Sequence, residues 1–87
     1  MELKVIEAEK GMLKLEIVGE DHTFCNILRK ELWQDKDIEI AGYAIKHALV
    51  SNPILVVESK DPKKALIETA NRLKKKNDEF LKKFESI

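Results

Sequence analysis

With one cysteine, two histidines and three scattered glycines, this chain has few of the residues from which active sites are built. A lone thiol, Cys25, permits no internal disulfide and fits a reducing compartment. His22 and His47 occur without HExxH, CxxC or EF-hand spacing, so the familiar metal sites have no sequence basis. Gly11, Gly19 and Gly42 lie too far apart for a phosphate-cradling loop or a dinucleotide fingerprint. Aromatic residues make up only 6% of the chain and offer no exposed pair for stacking bases. The apolar runs are too short to span a bilayer, and the opening residues lack the apolar stretch of a secretory leader. The expected location is cytoplasmic, with no membrane contact.

Net charge is also missing: 16 basic and 16 acidic side chains cancel, which removes a long-range pull toward phosphate. The balance is uneven along the chain. Residues 1–62 are acidic on balance, whereas 72–83 are mostly basic, with Lys74, Lys75 and Lys76 consecutive. As a phosphate-binding patch this run would support a free-standing nucleic-acid-binding module. Asp78 and Glu79 interrupt it, however, and a solvated helix face explains it more simply.

What the chain does have is apolar patterning. A hydrophobic fraction of 44% argues against wholesale disorder, and 87 residues suit a single domain with a modest core. Leu3 and Val5, then Leu13, Leu15 and Ile17, suggest a hairpin turned near Lys10 and Gly11. A first helix is expected over residues 23 to about 34, carrying Phe24, Ile27, Leu28, Leu32 and Trp33. Either Asp21 or Thr23 caps it. Residues 38–45 read as a strand with Ile38 and Ile40 opposite Ala41 and Tyr43, and Gly42 marks a bulge or close approach. Residues 46–53 read as a connection in which Ala48, Leu49 and Val50 extend a strand. Ile54 to Val57 form the most buried strand. The result is an α+β fold of order ββαββα: a four-stranded, mainly antiparallel sheet with both helices on one face.

The second helix is the dominant feature. It opens at Asp61 and Pro62, a cap acceptor followed by a residue suited to the first turn, and runs to about residue 84. Leu66, Ala70, Leu73, Asn77, Phe80 and Phe84 recur at alternating steps of four and three. Such a helix is about 34 Å long, close to the diameter of a small domain. An apolar stripe of that length calls for a second surface from another chain.

Catalysis finds little support. His22 and Cys25 are three apart, and a small thiol enzyme would centre on Cys25, yet nothing supplies an oxyanion hole or further ligands. Cys25 reads as a packing residue. No catalytic, metal-binding or cofactor-binding residue is assigned. Trp33 reads as a core edge or an interface anchor.

Two motifs, His22-Thr-Phe-Cys-Asn-Ile-Leu-Arg29 and Ala41-Gly-Tyr-Ala-Ile-Lys-His47, resemble those of the small alpha-like subunits of RNA polymerase. That family includes archaeal subunit L and the amino-terminal dimerisation domain of the bacterial alpha subunit. His22, Thr23, Asn26, Leu28 and Arg29 match the first pattern, with Phe24 and Cys25 in place of leucine and glycine. Ala41, Gly42, Tyr43 and His47 match the second, with Ala48 in place of proline. The resemblance covers nearly the whole chain and implies one alpha-like dimerisation domain over residues 1–87. It also implies a non-catalytic assembly subunit that pairs with the larger alpha-like subunit, the one called D, and then with subunits N and P and the large catalytic subunits. Nucleotidyl transfer belongs to those large subunits, and no direct sequence-specific DNA contact is expected here. The implied pairing region comprises His22, Thr23, Phe24, Asn26, Ile27, Leu28, Arg29 and Leu32 on the first helix. On the second it comprises Leu73, Asn77, Phe80, Leu81 and Phe84.

Overall fold

The computed structural model describes residues 1–44 and 52–87. The chain runs β1 (Glu2–Glu9), β2 (Met12–Val18), α1 (His22–Leu32), β3 (Ile38–Ala44), β4 (Ile54–Ser59) and α2 (Pro62–Glu85). The four strands form one sheet in the order β1-β2-β4-β3 with every pairing antiparallel. This is the expected ββαββα arrangement. Ile45, His47 and the extension read over Ala48, Leu49 and Val50 lie outside the described residues.

The β1–β2 hairpin turns at Lys10 and Gly11. Gly11 has φ of 85°, and a Cβ there would come within 3.3 Å of the Ser59 carbonyl oxygen. Only glycine fits a turn of that hand so close to neighbouring backbone. The turn is seated on β4, since the Ser59 amide donates to the Gly11 carbonyl at 3.0 Å.

One core lies between the sheet and the helices. Ile17 of β2, Leu55 and Val57 of β4, and Ile38 and Ala41 of β3 meet Cys25 and Leu32 of α1 and Ala65 of α2. β4 is central in the sheet and buries alternate residues, as a half-covered strand should. β1, by contrast, is an edge strand exposed along its whole length.

Three local expectations need correction. Ile38 and Ile40 do not share a face: an irregularity between them puts Ile38 in the core with Ala41 and turns Ile40 to the surface. An extra residue reverses the side-chain alternation downstream of it. Gly42 marks neither bulge nor close approach, since its pairing with Val56 is regular and a Cβ would meet nothing within 4 Å. Finally, α1 ends at Leu32 rather than near Gln34. The Gln34 and Asp35 amides bond back to Glu31 and Leu32, and the Asp35 carboxylate accepts from the Asp37 amide at 2.9 Å. That side-chain turn competes successfully with another helical turn.

Candidate partner interface

Asp21, not Thr23, caps α1, its carboxylate accepting from the Thr23 and Phe24 amides at 3.0 and 3.4 Å. The helix therefore begins at His22, whose Nδ1 shares a hydrogen bond of 3.1 Å with the Tyr43 hydroxyl. The two rings meet edge to face with centroids 5.6 Å apart. This contact joins the two motifs in space. One turn on, the Arg29 guanidinium donates to the Asn26 side-chain oxygen, so this motif arginine is already held within its own helix.

Cys25 is wholly buried in the core, and burial pushes its thiol above the ordinary range, with the charges of Glu20 and Asp21 adding to the effect. A buried, protonated thiol packs well and is a poor nucleophile. Among the described residues, no three His, Cys, Asp or Glu side chains converge as a metal site requires.

The outer side of α1 carries exposed Ile27 and half-buried Phe24 and Leu28, while Leu32 is wholly buried and supports that surface from beneath. α2 is less symmetrical. It meets its own domain through Pro62, Ala65 and Thr69, all buried. The apolar stripe of Leu66, Ala70, Leu73, Phe80 and Phe84 is rotated roughly 60° from that contact line, at about 100° per residue. Small residues bring α2 close to the sheet, and the larger ones are left beside the contact.

An apolar cleft opens along this stripe. Its larger part, about 550 Å³, runs between β1 and the start of α2, with Leu3, Val5, Leu13, Leu66 and Ile67 among its walls. A narrower part of about 190 Å³ continues between the helices and the sheet, reaching Phe24, Leu28 and Ala70. Leu3, Leu15 and Leu66 line both. Beyond Leu73 every residue of α2 is exposed. Phe80 and Phe84 stack on each other with centroids 6.2 Å apart, yet remain 70% and 65% exposed. Leu81 and Asn77 lie beside them.

Where α2 leaves the domain, the Glu31 carboxylate is gripped from two helical turns. Arg72 Nε donates to Oε1 at 2.9 Å and Lys76 Nζ to Oε2 at 2.7 Å. Arg72 Nη2 also reaches the Glu31 carbonyl at 2.9 Å and the buried Thr69 hydroxyl at 3.2 Å. The Lys76 hydrogen bond, opposed by burial and reinforced by Arg72, holds the Glu31 carboxyl below its ordinary value. Two cations of the basic run are thus engaged within the chain, while Lys74 and Lys75 remain on the solvated face.

Residues 12–83 match the sequence pattern of the RNA polymerase Rpb3/Rpb11 dimerisation domain. The chain is 35% identical over 85 residues to DNA-directed RNA polymerase subunit Rpo11 of Methanothermobacter thermautotrophicus, covering 98% of this chain and 100% of the relative. The chain belongs to the Rpb3/Rpb11 dimerisation-domain family. Another member, Rpo11 of Methanocella arvoryzae, is 37% identical over 87 residues, covering 97% of this chain and 94% of its own. The crystal structure of DNA-directed RNA polymerase subunit L from Thermoplasma acidophilum superposes with a TM-score of 0.87 at 29% identity, covering 98% of this chain and 86% of that one. The family match begins at Met12, so the β1 wall of the cleft lies outside it.

The structure gathers several of the anticipated residues into two groups: Phe24 and Leu28 at the cleft, and Asn77, Phe80, Leu81 and Phe84 on the free end of α2; Ile27 is exposed on α1 outside the cleft lining. His22 and Thr23 are exposed at the start of α1, Arg29 and Leu73 are half-buried, and Leu32 serves the core. Two features escaped the sequence reading. Leu3, Val5 and Ile67 extend the apolar surface, and the alternation in β1 was its available signal. The Glu31 grip left no signal, because one acidic residue among 16 points to no partner.

No helix among the described residues is long and apolar enough to cross a membrane.

Proposed function

We propose that this chain is a non-catalytic assembly subunit of DNA-dependent RNA polymerase that pairs through α1 and α2 with the polymerase's larger alpha-like subunit, the one called D. That pair then forms, with subunits N and P, the platform on which the large catalytic subunits assemble. The observation that carries this reading is the open apolar surface of α1 and α2, in a chain whose family is a dimerisation domain. A single small domain rarely keeps stacked phenylalanines in water without a partner to cover them. Each fully covered phenylalanine is worth about 1.5–3 kcal/mol.

Tagged purification from the native cell tests the assignment. Stoichiometric polymerase subunits are the expected companions, and recovery without them overturns it. Phe80→Asp tests the placement, because it would put an unpaired carboxylate into the contact and weaken pairing by several kcal/mol, on the order of 2–5. Undiminished co-purification of the larger alpha-like partner with this variant would remove the distal end of α2 from the interface. The nucleic-acid-binding alternative is left with Lys74, Lys75, Lys82 and Lys83, split by Asp78 and Glu79, once Arg72 and Lys76 are engaged by Glu31.

A further inference from the structure

We propose that Glu31 is a positioning residue: held at two points along α2, its carboxylate fixes the direction in which the distal half of that helix leaves the domain. It thereby sets how well Phe80 and Phe84 meet a partner. This second half rests on the pairing function proposed above.

The geometry separates this role from an ordinary ion pair. Arg72 and Lys76 are four residues apart, so the two carboxylate oxygens grip α2 at points about 6 Å apart along its axis. A single contact makes a pivot, whereas two contacts at different heights define a direction. The grip is also rigid at its base. Glu31 is in the last turn of α1, its side chain only 8% exposed, and the same Arg72 occupies its backbone carbonyl and the buried Thr69 hydroxyl. That carbonyl also accepts from the Gln34 amide at 3.1 Å, so Arg72 takes up its second lone pair.

Position along α2 gives the grip its leverage. Among the described residues, no hydrogen bond or ion pair ties α2 to another element beyond Lys76. From Lys76 to Phe84 is about 12 Å of unsupported helix, so a tilt of about 10° carries the aromatic end about 2 Å. Pre-organised interfaces usually move by no more than about 1 Å on binding. Lys76 is itself 64% exposed, and pairs so open to water contribute little to stability. A direction-setting role therefore predicts that the Lys76 contact matters far more to geometry than to folding.

Pulsed electron-resonance distances on the full chain test this directly. Spin labels at Glu85→Cys on α2 and Glu39→Cys on β3, in a Cys25→Ala background, should give one narrow distance distribution. Lys76→Met and Glu31→Gln should at least double its width, while Lys76→Arg keeps it narrow. The melting temperature of Lys76→Met should stay close to that of the parent, and its affinity for the polymerase partner should fall about tenfold. A parent distribution already broad, or unchanged width in both Lys76→Met and Glu31→Gln, overturns the direction-setting role. Broadening without loss of affinity overturns its link to association. The distance measurement needs no partner, so failure of the pairing function would leave the positioning result readable.

Discussion

The two halves of α2 use apolar residues in opposite ways. The first half is buried through proline, alanine and threonine, with its larger Leu66 only partly covered and Ile67 exposed. The second half carries Phe80, Leu81 and Phe84 and buries none of them. Burial along α2 therefore runs against side-chain size, the reverse of what maximal stability of a lone domain would favour. Large apolar groups left in water along one helix are better understood as surface reserved for another chain than as a core that failed to close.

The strongest way to break this contrast is to attack first the core on which the first half of α2 sits and then the second half itself, comparing stability with association. Leu32→Ala empties a wholly buried site against which α2 is packed, and should cost about 2–5 kcal/mol by urea unfolding. That is a large share of the roughly 5–15 kcal/mol holding a small domain folded. Phe84→Ala should do the opposite: isolated stability should stay within about 0.5 kcal/mol, while partner affinity measured by calorimetry should drop by about 2 kcal/mol, as truncation of an aromatic anchor does. If Phe84→Ala unfolds the chain as readily as Leu32→Ala, the two halves are not distinct.

A smaller effect sharpens where the division begins. The Asp61 carboxylate accepts from the Lys64 amide at 3.1 Å and starts the helix, so Asp61→Ala should cost about 1 kcal/mol. The loss should appear in thermal stability and hardly at all in affinity once the chain is folded. An affinity loss exceeding the stability loss would mean that the start of α2 also faces the partner, beside the cleft walled by β1.

Much of this fold was legible in the residues because local signals and tertiary demands agree. The hairpin at Lys10 and Gly11, the cap at Asp61 and the alternation of β2 each have a local cause that the complete fold preserves, while the choice of Asp21 over Thr23 as the cap of α1 came only with the structure. The face of α2 was less legible. Leucine and phenylalanine spacing points to the stripe through Leu66 and Leu73, but the helix packs through Ala65 and Thr69, whose small size permits close approach and leaves little trace in a hydrophobic pattern. The same limit applies to β3, where one irregularity between Ile38 and Ile40 exchanges buried and exposed positions. Of the candidate interface, the aromatic end of α2 could be read from spacing, whereas the motif on α1 entered through its resemblance to the polymerase subunits. The β1 wall had a signal in the alternation of Leu3 and Val5, but that it stays uncovered followed only once the sheet order placed that strand at the edge.

The smallest expected effect bears on the boundary between the halves, where Glu31 meets Arg72 and Lys76. Its folded carboxyl titrates below the ordinary value of 4.5, first because Lys76 donates to the ionised form and then because Arg72 does, against the opposing effect of burial. For a carboxyl depressed on folding, the unfolded chain takes up its proton first as pH falls, so the stabilisation is complete above the ordinary value and is lost as pH drops through the folded one. The stability difference between the parent and Glu31→Gln should therefore be constant from neutrality down to about pH 5 and shrink at lower pH. Subtracting the variant removes the contribution of the other carboxyls. The change should be modest, because Arg72 and Lys76 are 35% and 64% exposed and recover water when released. A difference that grows below pH 4.5 would reverse the sign and mean that the grip does not favour the ionised carboxylate. The spin-label distribution of the folded parent should broaden only as pH falls through the lower, folded value, because protonating Glu31 loosens the grip that holds the distal half of α2 in line.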